Sequence, residues 1–193
     1  MSTIAIALLI SARWGTKAVN APPSDELPAA DTTLAVALSL PDMVSQSDVI
    51  AIGNVVETKS VWVDRTLVTL ATVSVTESLK GSGSSTITVE LPGGIDANRA
   101  VPIAISWPGA PSMTPGENVF LFLTATGEVG GSYTVAGFSQ GKFSIVDEDG
   151  EQMVSRNLTR TSLKSNNGVH RGGSDLIPLG TLKEQVKGYL KNQ

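Results

Sequence analysis

At 193 residues, with 41% hydrophobic and 17% charged residues, the chain has the composition of one folded domain with tails and not of a disordered polymer. A formal net charge of −4 and an aromatic content of 5% count against a nucleic-acid surface, which needs a basic face and stacking rings. The lack of cysteine removes disulfides, thiolate metal sites and cysteine nucleophiles, and fits either the cytosol or a bacterial exterior.

In chain order, residues 4–10 (IAIALLI) form an apolar run far below the roughly 20 residues that span a bilayer. Its length suits a secretory h-region, and Val19-Asn20-Ala21 supplies small residues for cleavage, so residues 1–21 read as a signal peptide. A buried strand or short helix is the alternative. Residues 22–31 (PPSDELPAAD) form a Pro- and acid-rich linker. Asp31 or Thr32 is placed to cap a helix over 33–44, which Pro41 would end or restart.

Residues 48–56 (DVIAIGNVV) predict a strand with a bend at Gly53, and 57–65 a loop or ragged hairpin carrying Trp62. Residues 66–79 alternate as a long strand that bends near Ala71. A flexible turn, 80–85, leads to a strand ending at Pro92-Gly93-Gly94. Within 95–117, Val101, Ile103, Ile105 and Trp107 alternate, and Pro102 makes that strand an edge. Residues 119–146 (VFLFLTATGEVGGSYTVAGFSQGKFSIV) are the centre of the fold. Val119 to Leu123 is a continuous apolar run, as expected for a strand covered on both faces. Gly137 and Gly141 suggest bulges, and Asp149-Gly150 a hairpin turn that returns through Met153 and Val154.

Residues 155–177 are polar and Gly-rich and read as a mobile loop. Pro178 then opens a helix over 178–191, with Leu179, Leu182, Val186 and Leu190 at helical spacing. The expected fold is mainly β: a small antiparallel OB-like barrel over 32–154 with an N-terminal and a C-terminal helix.

The succession SDVIAIGNVV, TVSVTESLKG, ELPGG, PGENVFLFL and VAGFSQGKFSIV resembles a bacterial exported OB-like barrel domain, distantly similar to netrin-like domains and tissue inhibitors of metalloproteinases. It covers about 48–146. The resemblance implies an extracellular interaction role beside matrixin-type proteases. The inhibitors chelate zinc through an amino-terminal cysteine that this chain lacks, so no functional residue carries over.

No motif supplies a catalytic set or cofactor site. His170 is the sole histidine and cannot build a two-histidine metal site. Residues 147–151 (DEDGE) offer carboxylates for Ca²⁺, but without EF-hand spacing they read as a turn. Residues 81–85 lack the Lys-Ser/Thr ending of a phosphate loop. Asn157-Leu158-Thr159 is a chance sequon. Trp62 and Trp107 are core aromatics or partner anchors, with burial expected for Trp107 from its phase.

The expectation is therefore an exported, secreted or periplasmic, non-enzymatic domain without a transmembrane segment. It would bind an extracellular protein or cell-surface polymer through Trp62 and the loops of 93–115. The rivals are a hydrolase or lyase in which Asp64, Glu117 and Asp147 converge, and a single-stranded nucleic-acid binder.

Overall fold

A computed structural model describes residues 31–192 apart from positions 82 and 126. The expected signal peptide and nearly all of the linker lie outside the described residues. The elements in order are β1 (Thr33–Val36), α1 (Leu40–Gln46), β2 (Val49–Val63), β3 (Thr66–Lys80), β4 (Thr86–Pro92), β5 (Gly94–Asp96), β6 (Ile103–Ile105), β7 (Asn118–Thr124), β8 (Tyr133–Val135), β9 (Lys142–Glu148), β10 (Glu151–Asn157), β11 (Thr161–Ser165), β12 (Gly168–Arg171), β13 (Ser174–Pro178) and α2 (Leu179–Leu190).

The unbroken apolar run of β7 has two buried faces because successive side chains point to opposite sides of a strand. Val119, Leu121 and Leu123 enter one core, together with Val49, Ala51 and Val55 of β2, Ala71 and Val73 of β3, Ile87, Val89 and Leu91 of β4, and Val135 of β8. Phe120 and Phe122 enter a second core with Ile50 and Ile52, closed over by α1, α2, Phe143 and Val154. Phe122 lies 5.3 Å from Phe120 and 6.1 Å from Phe143 between ring centroids, in tilted contacts.

Five strands close a ring of pairings. β2 pairs antiparallel with β3 and β7, β3 with β4 and β7 with β8, and a parallel β4–β8 contact completes the circuit. Every strand of the ring contributes to the first core. β9, β10 and β13 extend the sheet outward from β7, and β1, β11 and β12 form a separate three-stranded sheet.

The ring bends where the expected glycine sits. The β2–β3 register shifts between Ile52 and Gly53 and again between Val55 and Glu57. A Cβ at Gly53 would lie 2.4 Å from the Ser74 carbonyl oxygen, so only glycine allows this close crossing.

The amino-terminal helix expected over 33–44 is replaced by a strand and a shorter helix. β1 pairs in parallel with β11, and Ser39, not Asp31 or Thr32, caps α1 in a capping box with Asp42. Pro41 stands in the first helical turn, where a missing amide costs nothing, so it starts the helix and does not interrupt it.

Of the loop or ragged hairpin expected over 57–65, the structure has the hairpin, with Trp62 on its first strand. β2 runs to Val63 and turns through Asp64-Arg65 into β3. Residues 155–177, read from composition as a mobile loop, hold the end of β10, all of β11 and β12, and most of β13. Two of the four cations there are partnered: Arg156 pairs with Asp175, and Arg171 Nε donates to the Thr159 carbonyl at 2.5 Å. Asn166-Asn167 is the turn of the β11–β12 hairpin, in which Ser165 faces Gly168.

α2 follows Pro178 and buries Leu179, Leu182 and Val186. No helix among the described residues is long and apolar enough to cross a membrane.

Candidate functional site: an arm carrying exposed apolar side chains

At the end of β4 the chain leaves the ring through Gly93, whose φ of +87° is a left-handed conformation that glycine adopts without strain. Its amide donates to the Leu67 carbonyl at 3.0 Å, and its carbonyl accepts from Thr69 Oγ1 at 2.8 Å. The Ile95 amide donates to Ser60 Oγ at 3.0 Å. These bonds lay the β5–β6 hairpin across the extended β2–β3 arm.

Asp96 then ties the hairpin to Trp62. The indole Nε1 donates to Asp96 Oδ2 at 2.8 Å, Arg99 Nε donates to the same oxygen at 2.8 Å, and the guanidinium lies 5.1 Å from the indole ring centre. The Trp62 and Arg99 hydrogen bonds hold the Asp96 carboxyl below the usual aspartate range. Trp62 thus has a fixed orientation while remaining 37% exposed.

Trp107 is 54% exposed, although its phase with Ile103 and Ile105 predicts burial. β6 stops at Ile105, and the alternation stops with it. Val101, at 76%, and Ile95, at 64%, are exposed on the same segment. Trp107, Pro92 and Pro111 each line two adjoining cavities. One, of about 250 Å³, reaches Met113 and Ile105. The other, of about 390 Å³, lies on the outer face of β3, β4 and β8 and includes Glu90 and Glu128. Trp62, Ile95, Val101 and Trp107 thus expose large apolar area on or beside the arm, next to two concavities.

The chain matches no protein-family model and no curated protein.

The three acids that the hydrolase reading brings together stand on different elements. Asp64 is in the β2–β3 turn, ten residues along the strand from Asn54, whose pairing with Asn118 Glu117 adjoins. Asp147 accepts the Gly150 amide at 3.0 Å in the β9–β10 turn. Glu117 Oε1 accepts Lys142 Nζ at 2.5 Å and Ser144 Oγ at 2.7 Å, and Lys142 also donates to Ser144 at 2.8 Å. Burial raises the Glu117 pKa, but the bonds from Lys142 and Ser144 outweigh it and leave the carboxyl below its ordinary value. A serine beside a lysine is nucleophilic only if the amine can accept a proton, and here the carboxylate stabilises the ammonium. The trio is an ion-pair lock between β7 and β9. Sequence reasoning missed it because Lys142 and Ser144 lie far along the chain from Glu117.

Among the described residues no group of three or more His, Asp and Glu side chains is placed to hold a metal ion. His170 is exposed on β12, opposite Leu163, in a strand and not in a loop. Asn157 Oδ1 accepts the Thr159 amide at 3.0 Å and hydroxyl at 2.7 Å, an Asx turn that leads out of β10. Gly81 opens the β3–β4 connection, and the next element among the described residues is the strand β4, not a helix.

Proposed function

We propose that this chain is an exported, non-enzymatic binding domain that docks an extracellular polypeptide through Trp107, Trp62 and the β5–β6 arm. The ring of five strands is read as a small OB-like barrel, in line with the resemblance to netrin-like and metalloproteinase-inhibitor domains. That resemblance supports a site of action beside an extracellular protease. The apolar run at 4–10 and the Val19-Asn20-Ala21 sequence support export.

The observation that carries the binding function is Trp107: a half-exposed indole flanked by two cavities has the shape of an interface anchor. The test is recovery of a partner from exported proteins by immobilised protein, with Trp62→Ala and Trp107→Ala compared in parallel. A partner retained by the wild type and lost by folded Trp107→Ala is expected. Equal recovery by all three removes the assignment. Amino-terminal sequencing of exported protein should begin near Pro22, and a mature chain that begins at Met1 overturns the export reading.

A further inference from the structure

We propose that the cavity on the outer face of β3, β4 and β8 receives a cationic side chain, arginine or lysine, of a polypeptide partner, a subsite that rests on the binding function above and gives it a chemistry. At about 390 Å³ the cavity has the size of a small-ligand site. Two carboxylates, Glu90 and Glu128, line it together with Trp107 and Phe138, and no lysine, arginine or histidine does.

Glu90 is only 8% exposed. Its Oε2 accepts the Val129 amide and Ser132 Oγ, both at 3.1 Å, and its Oε1 has no hydrogen bond among the described residues. It has no salt bridge there either, whereas Glu77, Asp96, Glu117 and Asp175 each hold a lysine or arginine. A carboxylate taken out of water without a counter-charge is costly, and an entering guanidinium or ammonium offsets that cost with a charge-assisted bond. Trp107 and Phe138 add aromatic rings that favour a cation over a neutral group. The two carboxylates, focused by apolar walls, attract a positive charge into the cavity.

The isolated, ¹⁵N-labelled protein is titrated with n-butylguanidinium chloride, with n-butanol and calcium chloride as controls. The Trp107 indole N–H resonance is followed, with that of Trp62 as reference. The expected result is a saturable shift of Trp107 with a dissociation constant on the order of millimolar, given so few ligand atoms. Glu90→Gln, which keeps the shape and the acceptor, should weaken it about tenfold, the cost of losing one charged partner. Glu128→Gln, at an exposed position, tests the same charge complementarity without touching the buried network, and should weaken binding severalfold.

An equal response to n-butanol or to calcium chloride, or guanidinium binding unchanged in both variants, overturns the proposal. Because no partner enters this titration, its failure is separate from failure of partner recovery.

Discussion

At the residue scale, several ion pairs join elements that are distant in sequence. Glu117, Lys142 and Ser144 fasten β7 to β9, and Glu77 receives Lys183 at 2.5 Å from α2. Hydrogen bonding from Lys183 outweighs burial and lowers the Glu77 carboxyl, and the Glu117 carboxyl is lowered too. A carboxyl with a lowered folded pKa contributes stability that is present above its unfolded value, about 4.3, and is lost as the pH falls through the folded value. Glu117→Gln should therefore cost about 1–2 kcal/mol at pH 7 by leaving Lys142 without its counter-ion. In urea unfolding the gap to wild type should narrow below about pH 4. A gap independent of pH would show that the ion pair is not the cause.

At the element scale, the buried amide of Gln140 ties the end of β1 to the β8–β9 connection, beside the β1–β11 pairing. Gln140 Nε2 donates to the Val36 carbonyl at 2.7 Å and to the Gly137 carbonyl at 3.0 Å, and its Oε1 accepts the Leu38 amide at 2.8 Å. Gln140→Leu preserves bulk and takes the side-chain partner from the Val36 carbonyl and the Leu38 amide, while the Gly137 carbonyl keeps the Ser139 amide, so it should cost about 1–3 kcal/mol. Amide exchange at Leu38 should rise before exchange in β2 or β7 does. Gly53→Ala, which meets the Ser74 carbonyl, should cost a further class of about 1–3 kcal/mol through overpacking, read as a lower melting temperature.

These elements also mark what sequence can carry. The unbroken run of Val119 to Leu123 and the helical spacing of Leu179, Leu182 and Val186 declare their burial because period and composition agree. β1 escaped the reading because its partner β11 is distant in sequence, and the polar, Gly-rich β11–β12 hairpin carries no apolar alternation and is bracketed by the β10–β13 pairing that includes Arg156 and Asp175. Trp62 and Trp107 were legible as candidates, but Asp96, Arg99 and Glu90 were not. Their roles depend on the hairpin lying across β2–β3, which no local pattern encodes.

At the scale of the whole molecule, two cores share one pair of strands, β2 and β7, and the β5–β6 arm stands outside the ring. Losing Phe122, which packs between Phe120 and Phe143 on the outer face, should cost about 3–5 kcal/mol as Phe122→Ala in denaturant unfolding. The claim most exposed to test is closure of the ring at the β7–β8 seam. There Leu123 faces Val135, Thr124 faces Thr134, and the Ala136 amide donates to the Phe122 carbonyl at 2.9 Å. Native-state hydrogen exchange measures that seam directly. The Ala136 amide should be protected to the same degree as amides of the β2–β7 pairing, and exchange of Ala136 at the rate of an exposed loop, with β2 and β7 still protected, would contradict the closed ring.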